Sequence, residues 1–348
     1  RWRTGAGRRA LARGGRTLIE VREAQVPSGA LWLTMAGVCE QAVPCAVRWR
    51  TGARRRESAR RARRSGSPRG IEMAHEIVIR GGSIVGGTGA PAFVGDVAID
   101  DGRISAVGGS LAGDRVIDAA GAVVAPGWVD VHTHFDGQVT WDDELDPSFS
   151  NGVTSLVMGN CGVGFAPCPP GGEQTLIELM EGVEDIPGTA LYEGVPWGRW
   201  TSFPEYLDFL ATRSYAMDVG AQVPHGALRF AVMGERGVHH DDATADDLAA
   251  MRRLVAEAAA AGALGVSTSR TIFHRSIDGT AVPGTYATAA EVLELAHGMV
   301  DGGGGVFEAI TSSSIGAMQA LGGERFSQEH ELQLLDAIPQ ATGLNVTF

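Results

Sequence analysis

From residue 76 to 119 apolar and polar positions alternate in short runs, EIVIRGG, DVAIDDG, RISAVGG and RVIDAAG, broken by Gly81-Gly82 and Asp100-Asp101-Gly102. A period of two with turn residues between the runs predicts a small β unit over 73–122. The pattern then changes. Residues 123–131 (VVAPGWVDV) make one apolar run that ends on His132-Thr133-His134, and they are predicted to form a single strand. Beyond it, strand-length apolar runs at 153–158, 219–223, 263–267, 306–310 and 344–348 alternate with helix-length stretches at 173–182, 204–212, 244–261, 289–299 and 328–338. The longest of these helices has Thr244 as its N-cap, Asp246 and Asp247 in its first turn and Gly262 as its stop.

Strand–helix alternation punctuated by Gly and Pro predicts a parallel α/β sheet. From residue 123 the chain supplies about six strands where a closed (β/α)8 barrel needs eight. It stops on NVTF with no helix to follow. The expected fold is therefore an incomplete TIM-like barrel over 123–348, preceded by a small N-terminal β-sandwich unit over 73–122, within a longer protein.

Charge separates a third region. Residues 1–72 carry 17 arginines against five acidic residues, a balance of +12, whereas 73–348 carry 12 arginines against 36 acidic residues, −24. The basic segment repeats RWRTGA at 1–6 and 48–53 and shows no helical or strand period. It reads as disordered or spurious upstream sequence, with an anion-binding arm as the alternative, and ordered protein is expected from Met73. The acidic body excludes nucleic acid as a partner for 73–348. No apolar run is long enough to span a membrane, and four cysteines in 348 residues make no disulfide framework, so the cytoplasm is the expected compartment. The chain contains no lysine, which removes Schiff-base, P-loop and lysine-carbamate chemistry.

His132 and His134 carry the sharpest chemical signal. Residues i and i+2 of a strand project from one face, so both imidazoles can meet one metal at the carboxyl end of the run. Asp136 is placed to orient one of them from behind. Cys161 follows the next strand and reaches the same rim, as a thiolate donor or as a small buried residue. His225 and Arg229 follow the third strand, either to bind a substrate carboxylate or as a loop histidine and a surface ion pair. His239-His240 read as exposed, His297 as non-functional and Cys168 as a loop thiol.

VIDAAGAVVAPGWVDVHTHFD, with the glycine-punctuated strands before it, resembles the metal-dependent amidohydrolase superfamily. GVTSLVMGNCGVGFAP and GALGVSTSRTIFHRS followed by VPGTYAT are similar to its N-acyl-D-amino-acid deacylase (D-aminoacylase) branch, and the resemblance runs from about 75 to about 310. It implies a zinc-dependent hydrolase of linear amide bonds acting on small N-acyl amino acids, with His132, His134 and Cys161 as metal ligands. It also places Ser267, Ser269, Arg270 and His274 on a substrate-facing loop, with Gly284 and Tyr286 helping to shape the pocket. The branch carries a histidine ligand at the end of its fifth strand. Here that strand reads VFEAIT without one, so Glu308 is either an oxygen ligand in its stead or an ordinary strand residue. The general-base aspartate is expected beyond Phe348. A cyclic-amide amidohydrolase and a non-catalytic barrel with a scaffold role are the competing readings.

Overall fold

The computed structural model describes residues 74–311 and 328–348, together with the backbone of strands β1 (Ala24–Gln25) and β2 (Leu31–Met35). The rest of the basic segment lies outside the described residues, including Cys39 and Cys45. The chain divides into two compact units. One runs to Trp128 and adds Pro147–Thr154; the other comprises Val129–Asp146 and Ser155–Phe348.

In the first unit, β3 (His75–Ile84), β4 (Phe93–Asp100), β5 (Arg103–Val107), β6 (Gly113–Asp118) and β7 (Val123–Pro126) join β1 and β2 in one seven-stranded sheet, ordered β1-β2-β7-β3-β4-β5, with β6 paired to β3. A bulge between Ile79 and Gly82 divides β3, whose first half pairs β6 and whose last two residues pair β7. Buried Asp96 pins the bulge by accepting the N–H groups of Gly81 and Leu111, each at 2.9 Å. Ile79, Val97, Ile99, Ala122 and Val124 form the core. The described strands thus make a single sheet, and no second, facing sheet is among them. β2 runs parallel to β7, so part of the segment expected to lie outside the fold is drawn into it.

The run at 123–131 is not one strand. It divides at Gly127 into β7 and β8 (Trp128–Asp130), which belong to different sheets. Gly127 is where the backbone comes closest to its neighbour, since a Cβ there would stand 2.1 Å from Thr154 Cγ2. Only glycine allows that approach, and Pro126 before it offers no N–H to a ladder.

The second sheet is parallel and curled, half of a barrel. Its order is β13 (Asn345–Thr347), β12 (Val306–Ile310), β11 (Gly265–Ser269), β10 (Asp218–Pro224), β9 (Val153–Met158), then β8. Between the strands run α1 (Glu173–Glu184), α2 (Gly188–Gly194), α3 (Phe203–Ala211), α4 (His225–Met233), α5 (Glu235–Val238), α6 (Ala245–Ala261), α7 (Ala289–Asp301) and α8 (Gln328–Thr342). α6 starts and stops at the residues its sequence marks, with Thr244 and Asp247 closing a reciprocal capping box and Gly262 in the left-handed conformation. The central strands β10, β11 and β12 bury successive residues, including Val223, Val266 and Phe307, whereas β9 alternates, burying Thr154, Leu156 and Met158. Among the described residues no helix is long and apolar enough to cross a membrane.

Ser202 and Glu205 form a second capping box at α3, where Glu205 Oε2 accepts the Thr201 and Ser202 N–H groups at 2.8 and 2.9 Å. These bonds hold its carboxyl down at about 2. A depressed folded-state value contributes stability above the ordinary carboxyl range, and that contribution is lost as the pH falls from about 4.5 toward about 2. Glu205→Gln is expected to lower the melting temperature at neutral pH and to flatten its dependence on pH across that window, so that variant and wild type converge near pH 2; a parallel, unflattened curve would refute the assignment.

Candidate metal centre

Four strand ends converge on one rim of the curled sheet. After β8 the chain turns through His132 and His134, and Thr133 between them is clamped to Val157 by its N–H at 3.0 Å and its hydroxyl at 2.7 Å. Fixing the middle residue fixes the directions of both imidazoles. Asn160 makes the adjoining clamp. It is fully buried, and its amide N–H groups bond the carbonyls of Thr133 and Val157 at 3.0 Å each, while its oxygen accepts from Gln222 of β10 at 2.7 Å. One side chain therefore ties together three strand ends.

The loop that carries Cys161 is held equally closely. Gly159 has φ 78°, and a Cβ there would meet the Gln222 carbonyl oxygen at 2.2 Å. Gly162 has φ 69° and donates its N–H to Ser267 Oγ at 3.0 Å, and Ser267 in turn donates to the Gly159 carbonyl. Cys161 between them adopts φ 56°, a left-handed conformation that glycine takes readily and other residues seldom.

The donor atoms of His132, His134 and Cys161 all lie within 4.8 Å of one another. His132 Nε2 stands 3.2 Å from Cys161 Sγ. The edges of a zinc tetrahedron built on sulfur and imidazole nitrogen measure roughly 3.3–3.8 Å, so small side-chain rotations close the set around an ion. His134 Nδ1 is buried with no hydrogen-bond partner, the kind of orphan that a cation resolves. Two imidazoles and a sulfur suit a borderline-soft divalent metal. The residues fit the group.

Carboxylates surround the cluster. Glu308 of β12 is buried, with Oε1 3.1 Å from His132 Nδ1, and burial pushes its carboxyl up to about 7. Glu184, the last residue of α1, has Oε1 3.1 Å from His134 Nε2 and is likewise pushed to about 7 by burial, then by Asp185. Asp136 is fully enclosed, and burial raises it to about 7. Its backbone carbonyl accepts from Tyr206 and its Oδ2 has no hydrogen-bond partner; Glu184 and Glu308 are the carboxylates beside the imidazoles, and both Glu308 oxygens are likewise buried without a hydrogen-bond partner. Burial and these acids raise the Cys161 thiol far above its usual range, and burial lowers His134 to about 4. Without a cation the site holds a neutral thiol and acids inclined to keep their protons; a divalent ion would reverse both.

The remaining candidates lie close by in the fold but are differently employed. Ser269 Oγ bonds His274 Nδ1 at 3.0 Å, and His132 contributes to lowering the His274 pKa, after burial. His225 and Arg229 are neither loop nor surface groups. Both are buried in α4, where His225 bonds Thr268 at 2.8 Å and Glu291 at 2.9 Å, and Arg229 Nη1 reaches both oxygens of Glu291. With Arg229 Nε on Gly237 and Nη2 on the Asp241 carbonyl, every guanidinium nitrogen is engaged within the fold. Arg270 is similarly committed to Glu331, at 2.9 and 2.6 Å, and to the Ala287 carbonyl. Tyr286 meets His240 edge to face at 4.6 Å, and both His240 ring nitrogens are buried, unlike the exposed neighbour His239. Cys168 is a loop residue but a buried one. A cavity of about 200 Å³ lined by Pro169, Phe203, Pro204, Val223, Leu228 and Leu254 contains none of the candidate ligands.

Sequence reasoning missed Glu184, Asn160 and Glu291. Glu291 occupies the third position of α7, where it reads as a cap residue, and the carboxylate is turned inward to His225 instead. A Gly-Asn pair directly after an apolar strand is a visible signal for Asn160; Glu184 has none, because its histidine is 50 residues away.

A family model described as the amidohydrolase family matches residues 115–344. A D-aminoacylase from Alcaligenes xylosoxydans xylosoxydans is 32% identical over 231 residues, which is 66% of this chain and 43% of that protein. An N-acyl-D-aspartate deacylase from the same organism is 37% identical over 195 residues, covering 56% of this chain and 36% of that one. Among solved structures, a D-aminoacylase crystal structure and a zinc and phosphonate-inhibitor complex of N-acyl-D-glutamate deacylase from Bordetella bronchiseptica each superpose with a TM-score of 0.58 at 30% identity, over 78% of this chain and 50% of theirs. The chain spans about half the length of these relatives or less.

The buried ion pair gives a prediction of its own. Arg229→Met strands Glu291 as an uncompensated buried charge, and a loss of roughly 3–5 kcal/mol is expected by urea unfolding. Adding Glu291→Gln, which still bonds His225, is expected to restore most of it; two losses that simply add would show the pair to be uncoupled.

Proposed function

We propose, for a chain that belongs to the amidohydrolase family, that the protein of which it is a part hydrolyses linear amide C–N bonds in N-acyl-D-amino acids. The observation that carries this reading is the convergence of His132, His134 and Cys161 donors within 4.8 Å at the ends of two parallel strands. The names of the similar proteins point the same way, and all of those reported above are deacylases of N-acyl-D-amino acids or D-aminoacylases. On this reading the curled sheet is half of a TIM-like barrel, the seven-stranded sheet contributes to a composite β-sandwich, and the protein works in the cytoplasm.

Zinc is the proposed metal. When bound it supplies Lewis acidity to polarise the amide carbonyl and activates water for attack. This chain's residues do the holding and shaping. His132, His134 and Cys161 bind the ion, and Asp136 adds negative charge from a water-excluded position behind them. Ser267 holds the cysteine loop closed. His274, tethered by Ser269, is the titratable donor left at the rim to face a substrate. Arg229, His225 and Arg270 build the walls: their nitrogens are occupied by Glu291, Thr268, Glu331 and backbone carbonyls, so they position the loops around Tyr286 rather than grip a carboxylate. The carboxylate anchor of the substrate must then come from another group.

The wild-type chain is expected to retain stoichiometric zinc after exhaustive dialysis, by metal analysis, and His132→Ala combined with His134→Ala is expected to lose it. Zinc that survives the double substitution would remove the ligand assignment. The complete protein should release free amino acid from N-acetyl-D-amino acids and leave their L-enantiomers largely intact; turnover confined to cyclic amides would favour the competing reading.

A further inference from the structure

We infer that His274 is a further catalytic residue, whose Nε2–H binds the oxygen of the scissile amide carbonyl while Ser269 positions the ring from behind. The inference rests on the deacylase reading above and adds a residue to the same site.

The place of His274 follows from the loop that carries it. β11 ends on Ser269, and the loop leaves the strand at the rim where the histidine pair and Cys161 lie. A Cβ on Gly162 would stand 2.9 Å from the Ser269 backbone nitrogen, so Ser269 lies against the residue that follows Cys161. Ser267, two residues earlier and on the same strand face, is the side chain that bonds the cysteine loop. Ser269 Oγ therefore emerges on that side, one step nearer the strand end, and holds His274 Nδ1 at 3.0 Å. The loop is fixed in its turn. The His274 carbonyl accepts the Val282 N–H at 3.1 Å, Arg275 pairs with Ala281 in an antiparallel bridge, and the Ile277 N–H donates to the Glu178 carbonyl of α1 at 3.3 Å. A donor on such a loop is preorganised.

The bond to Ser269 also decides which nitrogen carries the proton. Ser269 is fully buried, and His274 Nδ1 is the only hydrogen-bond partner of its hydroxyl among the described residues. A buried O–H without an acceptor is costly. The hydroxyl therefore donates to Nδ1, and the neutral ring keeps its proton on Nε2. His132, His134 and His225 each have a carboxylate within 3.1 Å, whereas His274 has this hydroxyl in its place. No acid favours its imidazolium, and burial, then His132, hold its basicity below the ordinary range. A nitrogen that keeps its proton cannot ligate a cation, so His274 does not replace the histidine absent from β12. It suits an oxygen that gains negative charge. In amide hydrolysis that oxygen belongs to the carbonyl, which turns anionic as water adds to its carbon and recovers its double bond as the C–N bond breaks. The proton stays on Nε2 throughout, and the hydrogen bond strengthens as the charge grows.

The test uses the complete protein, a panel of N-acetyl-D-amino acids and the phosphonate analogue of the member turned over fastest. His274→Phe is expected to lower kcat about 100–1,000-fold with KM little changed, and to weaken phosphonate binding by a similar factor. Zinc stoichiometry and the circular dichroism spectrum should stay as in the wild type. His274→Gln, whose amide N–H falls where Nε2–H stood, is expected to recover part of the loss; His274→Asn, whose shorter amide falls at the Nδ1 position, none. These two polar variants carry the comparison if the phenylalanine disturbs the fold. Imidazole nitrogen NMR, with the His274 signal identified by His274→Gln, is expected to show the proton on Nε2 in the wild type and a mixture of tautomers in Ser269→Ala. A His274→Phe enzyme within about twofold of wild type, a loss confined to KM, equal recovery by Gln and Asn, lost zinc, or a proton on Nδ1 would each overturn the inference and leave the deacylase reading standing. A wild-type protein that releases no amino acid from any member of the panel would overturn that reading, and the inference with it.

Discussion

The amide of Asn160 is the constraint on which the candidate site depends. It is fully buried, and three of its hydrogen bonds reach the loop after β8, the end of β9 and the side chain of Gln222 in β10. The groups proposed to bind a metal occupy irregular segments, where the backbone has no ladder to hold it. Asn160 supplies the missing ladder with side-chain atoms. Because a buried amide left without partners is costly, the three strand ends are coupled: displacing one strands the others' hydrogen-bonding groups. Rigidity of this kind lets three ligands on two loops stand ready at a common point without an ion to draw them together.

Electrostatics divides the second unit into two kinds of acid. Glu291 and Glu331 are matched by Arg229 and Arg270 inside the protein, and the arginines are thereby used up. Glu184, Glu308 and Asp136 have no cation of their own, and burial holds each near 7. A chain without lysine has few cations to spend, and its buried ones go to framing the walls. The uncompensated acids collect where the donors collect. The charge imbalance inside the fold thus points to the same place as the ligand chemistry, from independent physics.

Much of this was legible in the sequence. Period-two alternation, capping boxes and glycine stops mark the strands and helices well, because each signal lies within a few residues of the element it governs. The histidine pair and Cys161 were legible because strand ends and soft donors are local features too. The division of 123–131 at Gly127 was not, since the reason for it is the approach of Thr154, distant in sequence. The sequence leaves Arg229 open between a substrate anchor and a surface ion pair, because a guanidinium after a strand looks available; only the fold reveals Glu291, 62 residues later, bound to it. Glu308 stands out in sequence as a charge in an apolar strand, but its place 3.1 Å from His132 is set by the fold, and no spacing rule encodes that.

Cys161 sits at φ 56°, directly before Gly162 and two residues after Gly159, both of which also adopt positive φ. A left-handed residue with a side chain carries a conformational penalty of about 1–2 kcal/mol that glycine escapes. Three of the four positions 159–162 therefore take a glycine-like conformation, and one of them holds a thiol that the backbone does not welcome. The loop would fold more readily with glycine at 161 than with the cysteine it has. At this position ease of folding and chemical capability run in opposite directions, and the sequence has kept the sulfur.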